Sequence, residues 1–232
     1  MIRQLSGENP QVKKIVIFGA AHFGVVKVIG AINRREPTWE IIGFLDDVKY
    51  PGAREYQGLP ILGTRELIPK LVSEEVHFIN NVSGHWTRTR KVAAMLQACG
   101  CRTPNIVHPA VDLSYVEMGQ GCLVAEGVIL GDHVRIGNFV TLRYGCIVSH
   151  DVVLEDYVTM AAGATASGFS VLKKGCFVGT GATILGGKSI LGEGSLVGAG
   201  AAVVGPVPDY TTVVGVPARP LRKETGHDEP DH

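Results

Sequence analysis

MGQGCLVAEGVILGDHVRIGNFVTL, Met118 to Leu142, steps from one apolar residue to the next at intervals of six: Met118, Val124, Leu130, Ile136, Leu142. The same register continues through Val148, Leu154, Met160, Ala166, Leu172, Val178 and Ile184. After one inserted residue it resumes at Leu191, Val197 and Val203. The residue after each anchor is often small, and the fourth residue after it is mostly compact, as in Cys122, Val128, Val134, Val140 and Cys146. A period of six matches neither a helix at about 3.6 nor a half-solvated strand at about 2.0, but it suits a parallel β-helix built from hexapeptides. Three hexads then form one coil of about 18 residues, stacked on the next at roughly 4.8 Å. A merely glycine-rich, low-complexity segment would not hold its apolar anchors in unbroken register.

Outward from this stretch, the composition sets limits. The chain has 232 residues and 45% apolar content, enough for two modest packed domains. Lys+Arg and Asp+Glu both number 22, so no summed field draws nucleic acid or an anionic membrane, and neither is expected as a partner. The first twelve residues lack an apolar core, and no run approaches the roughly 18 apolar residues of a span. A soluble, cytoplasmic protein is the expectation. Of five cysteines, Cys122, Cys146 and Cys176 fall at equivalent steps of the repeat and read as core. Cys99 and Cys101 form a lone CxC without a second pair at zinc spacing, and no metal is expected.

Upstream of the repeat, Lys13 to Phe18 (KKIVIF) reads as a strand, GAAHFG (Gly19 to Gly24) as a turn, and Val25 to Ile32 as the start of a helix. A second strand, Glu40 to Leu45, ends in Asp46 and Asp47. A third, Val76 to Ile79, ends in Asn80 and Asn81, and Arg90 to Cys99 reads as helix. This alternation predicts a small Rossmann-like α/β domain whose strand ends form a ligand crevice. Ala21 replaces the middle glycine of a GxGxxG fingerprint, and its Cβ would crowd a pyrophosphate, so NAD is not expected. Gly19 and Gly24 still make a tight turn before a helix N-terminus, open to an anionic or hydrogen-bonding ligand. Asp46 and Asp47 read equally as acceptors for a base or sugar hydroxyl and as turn formers. The expected division is an extension at 1–12, the α/β domain at 13–104, the hexapeptide β-helix at 105–212 and a C-terminal segment at 213–232.

Within the repeat His150 is a polar break, the third residue of its hexad. Transfer of an acyl group from a thioester to an amine needs a proton sink and a donor for the oxyanion, and imidazole suits the first near neutral pH. Asp151 is the candidate to orient it. Neighbours on a strand point to opposite faces, however, so the pairing requires a corner of the coil here. Taken alone, His150 reads equally as a solvated wall residue, while His133 and His108 read as structural.

The hexads, together with GFLDD (Gly43 to Asp47), IVHPA (Ile106 to Ala110), the pair His150–Asp151 and GVPAR (Gly215 to Arg219), resemble the sugar-nucleotide N-acetyltransferases that act on 4-amino sugars, related to sialic-acid O-acetyltransferase-like proteins. The resemblance runs from about Lys13 to Lys223. It implies a left-handed β-helix, acetyl-CoA as co-substrate, a nucleotide-linked amino sugar of the 4-amino-4,6-dideoxy type as acceptor, and a homotrimer with active sites between adjacent solenoids. It also implies His150 as base and Asp151 as its support. Gly19, Ala21, His22, Phe23, Asp46, Asp47 and Asn80 fall at the acceptor site, and Thr159, Gly168, Thr180 and Gly198 at the acetyl-CoA arm. Two departures lie on the acceptor side: His22 stands one place early with Phe23 in the usual histidine slot, and Asn80 replaces a glycine. The competing readings are an O-acetyltransferase of a sugar or sialic acid and a non-catalytic nucleotide-binding scaffold. A zinc site of the carbonic-anhydrase kind would need three histidines on adjacent coils, and the repeat offers His133 and His150.

Overall fold

Each apolar anchor occupies the second position of a two-residue strand, pointing into a three-sided parallel β-helix. The computed structural model describes residues 12–82, 86–187 and 189–221. Most of the expected N-terminal extension and the end of the expected C-terminal segment lie outside the described residues. The first face stacks Glu117–Met118, Arg135–Ile136, Val153–Leu154, Val171–Leu172 and Ile190–Leu191. The second begins at Ile106–Val107 and climbs through Leu123–Val124, Thr141–Leu142, Thr159–Met160, Phe177–Val178 and Leu196–Val197 to Thr212–Val214. The third stacks Ile129–Leu130, Ile147–Val148, Thr165–Ala166, Thr183–Ile184 and Ala202–Val203. Leu142, Val148, Met160 and Ala166 are fully buried, and so are Cys122, Cys146 and Cys176. Burial pushes these three thiols up, to about 11, 11 and 12 respectively, as expected of packed and unreactive sulfur.

The first corner joins the first face to the second, the second corner joins the second to the third, and the third corner closes the coil. The second corner uses glycine in the left-handed region on every coil, at Gly127, Gly145, Gly163, Gly181 and Gly200. The third corner uses other residues there on four coils, Tyr115, His133, Asp151 and Phe169, with φ between 55° and 61°, and Gly187 on the next. The inserted residue of the repeat falls in this third corner, between Ile184 and Ile190.

The N-terminal sheet is ordered β3–β4–β2–β1–β5, with β1 Lys13–Phe18, β2 Trp39–Leu45, β3 Glu55–Tyr56, β4 Leu59–Gly63 and β5 His77–Asn80. Pairing is parallel except in the β3–β4 hairpin. Helices α1 (Gly24–Arg35), α2 (Ile68–Ser73) and α3 (Trp86–Ala98) complete the unit. Ile15 and Ile17 pack with Val25, Val28 and Ile29 of α1, whereas Val16 and Phe18 pack on the opposite side with Leu71 and Leu96, so β1 is covered on both faces. This unit lies across the second face. Leu123 and Ala125 of the solenoid join its core, α1 reaches the second corner at Tyr144, and Trp86 of α3 stacks over Gly175 and Gly194 of the first corner. No helix among the described residues is long and apolar enough to cross a membrane.

Candidate active site

Asp151 has φ +55°, the left-handed turn that lets adjacent side chains share one side of the chain. The corner that the pairing requires is therefore present. His150 Nδ1 lies 2.9 Å from Asp151 Oδ2, with the two side chains 48% and 40% exposed. With Nδ1 donating to the carboxylate, Nε2 is left as the ring's acceptor. One coil further on, the imidazole lies against Gly168, where a Cβ would stand 2.7 Å from both Cε1 and Nε2. Glycine is needed there because the histidine ring fills the space of a side chain. Phe169 meets the imidazole at 5.1 Å between centroids and 87° between planes. Among the described residues no acceptor takes the Gly168 amide, while its carbonyl accepts from Gly187 N at 3.0 Å. Beside the pair, Asp151 lines a groove of about 430 Å³ with Tyr115, Glu117, His133, Arg135 and Phe169.

A second cluster forms at the turn after β1, where every carbonyl is tied back. Asn81 Nδ2 donates to Gly19 O and His22 O, both at 2.9 Å. Lys49 Nζ donates to Ala20 O, and Tyr56 Oη donates to Ala21 O at 3.1 Å. With the carbonyls engaged, the first-turn amides of α1 are the free polar groups of the segment, at the positive end of the helix dipole. His22 stands at its mouth. Desolvation, then Arg143 and Lys49, hold its imidazole below the usual value, which favours the neutral form.

The carboxylates expected at the acceptor are engaged within the domain. Asp46 is buried, with Oδ2 accepting from Ala20 N at 2.8 Å and Oδ1 from Val48 N and Lys49 N at 2.9 and 2.8 Å. Asp47 accepts from Arg65 N and Nε, both at 2.8 Å. Asn80 is buried too, donating to Thr89 O and accepting from Val82 N, each at 3.0 Å.

One chain keeps the expected site residues in separate groups. His150, Asp151 and Gly168 meet at the third corner. Thr180 and Gly198 lie on the second corner, where Gly200 N donates to Thr180 O at 2.9 Å, and Thr159 sits half-buried on the second face. The turn Gly19–Phe23 belongs to the second-corner group, because α1 meets Tyr144 there: Lys27 Nζ is 5.4 Å from the Tyr144 ring. Asn81, Lys49, Tyr56, Arg143, Tyr144 and Phe169 escaped the sequence reading. Arg143 and Tyr144 did leave a signal, since the equivalent steps on other coils hold small residues, as in Ala161–Ala162 and Gly198–Ala199.

Comparison with known families matches residues 14–95 to the PglD N-terminal domain. Among solved structures, the acetyltransferase domain of PglB from Neisseria gonorrhoeae, in complex with acetyl coenzyme A, is 29% identical; the match covers 90% of this chain and 100% of that one, with a TM-score of 0.80. WeeI from Acinetobacter baumannii is also 29% identical, over 90% and 100% of the two chains, with a TM-score of 0.78. A mutant of GDP-perosamine N-acetyltransferase from Caulobacter crescentus, in complex with CoA and GDP-perosamine, shares the fold at 24% identity, 91% and 98% coverage and a TM-score of 0.81. Comparison with curated proteins gives no match. The chain is thus an acyltransferase with a left-handed β-helix fold, similar over nine tenths of its length to the PglB acetyltransferase domain and carrying a PglD N-terminal domain over residues 14–95.

Proposed function

We propose that this chain transfers the acetyl group of acetyl-CoA to the amino group of a nucleotide-linked 4-amino sugar, in the cytoplasm, with His150 as general base. The observation that carries the reading is the braced imidazole: Asp151 on Nδ1, Gly168 beneath the ring, and an uncommitted amide at Gly168 alongside. The thioester supplies a carbonyl with a good leaving group. His150 Nε2 accepts the proton of the attacking nitrogen, and Asp151 stabilises the imidazolium that results. The Gly168 N–H is the candidate donor for charge developing on the carbonyl oxygen. Positioning both substrates for direct attack removes the need for a nucleophilic side chain. The PglB domain was solved with acetyl coenzyme A, and the Caulobacter enzyme with GDP-perosamine, a nucleotide-linked amino sugar. The tied-back turn at Gly19–Phe23, with Arg143 and Lys49 nearby, suits the phosphates of such an acceptor.

A homotrimer belongs to this proposal. The first face is uncovered but presents Glu117 and Arg135, whereas the third face is uncovered and apolar, with Ile129 60% and Ile147 41% exposed. It is flanked by the second corner on one edge and the third corner on the other. In a threefold ring with these faces inward, the third corner of each copy abuts the second corner of the next. His150, Asp151 and Gly168 of one copy then meet the turn, Thr180 and Gly198 of its neighbour.

The test is a screen of purified protein with acetyl-CoA against UDP-, GDP- and dTDP-linked 4-amino-4,6-dideoxy sugars, following thiol release and product mass. Acetylation of an amino sugar, absent from the hydroxyl analogue, is the expected result. Transfer to the hydroxyl analogue alone would favour the O-acetyl reading, and absence of acetyl-CoA binding would favour a scaffold.

A further inference from the structure

Phe169 is a left-handed residue, φ +61°, and is 59% exposed. For a bulky side chain this conformation is unfavourable relative to the right-handed regions. The second corner avoids that cost with glycine on each of five coils. Phe139, φ +54°, offsets the cost by burial, being only 2% exposed and stacked on Tyr157 at 6.1 Å, whereas Tyr115 and Tyr210, φ +59° and +53°, are exposed as Phe169 is. Phe169 has no such compensation within the chain. Its ring contact is with His150, edge to face. What distinguishes Phe169 is that this backbone state sets its exposed ring against the candidate base, which points to a local function.

We propose that Phe169 is a positioning residue that locks the His150 imidazole in its reactive orientation. Asp151 fixes one ring nitrogen, and Gly168 provides a floor without a side chain. Neither stops the ring from tilting outward into the neighbouring groove, and Phe169 stands on that groove's wall. It thus restricts the torsion that the carboxylate leaves open, so that Nε2 keeps a constant direction. It also keeps water off one side of the ring.

This inference rests on His150 as base, and the test separates the two. Four variants are compared with wild type in acetyl-CoA turnover with the most active sugar of the panel: H150A, F169G, F169Y and H150A/F169G. Glycine relaxes the left-handed backbone, so F169G should keep its melting temperature and oligomeric mass. Its kcat should fall about 10- to 100-fold, as for a misaligned catalytic group, while KM for acetyl-CoA changes little. F169Y should restore turnover. In the H150A background F169G should add almost nothing, since a positioning residue acts only through its target. If kcat is lost in H150A but kept in F169G, this inference falls alone. Dissociation of F169G into monomers would make Phe169 an interface residue and also overturns it. Turnover retained by H150A removes the base and this inference with it.

Discussion

At Gly168 a single hydrogen in place of a side chain decides where a histidine can stand. Gly168→Ala places a methyl 2.7 Å from two imidazole atoms, with a ring rather than a flexible chain end in its path. The φ of Gly168 is outside the left-handed region, so alanine carries no backbone penalty there. Gly168→Ala should therefore fold with a near-normal melting temperature and lose at least about tenfold in kcat; unchanged turnover would show that the ring's place over Gly168 is immaterial. His150→Ala should also fold, because a half-exposed polar side chain is removed, with kcat falling about 10²- to 10⁴-fold. Asp151→Asn should cost less, since an amide can still orient Nδ1 while the imidazolium formed in the reaction loses its negative neighbour. Stopped turnover in Asp151→Asn at every pH would instead give the carboxylate a direct role. The sequence made His150 and Asp151 readable because the repeat exposes any polar break. It could not reveal their contact, which depends on a left-handed φ that no glycine announces. Phe169 was hidden for the same reason.

Among the elements, the repeat was the most legible, because each coil buries the same two steps and a periodic core leaves a periodic sequence. The α/β unit was legible where its segments are long, in β1, β2, α1 and α3. The β3–β4 hairpin and α2 were not, being two to six residues long and interrupted by Pro60 and Pro69. At the turn after β1 the conspicuous acids are bonded within the domain, as the turn-former reading allows, while Asn81 holds the turn. Asn81→Ala leaves two carbonyls without a donor at a residue only 4% exposed. It should lower stability by about 1–3 kcal/mol and raise the acceptor KM, with acetyl-CoA affinity nearly unchanged; equal losses for both substrates would refute the division between corner groups. At the opposite end of the sheet, burial holds His77 below the usual histidine value, opposed by a backbone hydrogen bond at Lys14 and assisted by Arg102 and Lys13, and its buried Nδ1 has no partner among the described residues. His22 is shifted the same way. A histidine with a depressed folded-state value binds fewer protons folded than unfolded, so its contribution is present above about pH 6.5 and lost as pH falls below it. Melting temperature should decline through that window, and His77→Phe should flatten the decline; an identical slope in the variant would exclude His77 as a source.

Over the whole molecule, the arrangement is one of two half-sites on opposite edges of an uncovered apolar face. A chain working alone would leave His150 on the third corner while the turn and Thr180 sit at the second. The ring proposed above brings unlike edges of neighbouring copies together, which makes the site a shared one, and sharing has a consequence that a site within one chain lacks. On the proposed function, His150→Ala should be inactive through its third corner but keep an intact turn, whereas Asn81→Ala should be impaired at the turn but keep its histidine. Each variant alone should form trimers by light scattering and turn over poorly at subsaturating acceptor. If the two are unfolded, mixed in equal amounts and refolded together, each interface draws its histidine and its turn from different chains. With random assembly about one interface in four combines a wild-type histidine with a wild-type turn, so about a quarter of wild-type turnover should return. Within a single chain no combination restores both halves, and the mixture would do no better than the average of its components. Recovery of activity on mixing, lost again when chains are refolded separately and then combined without exchange, is the outcome that a shared site requires.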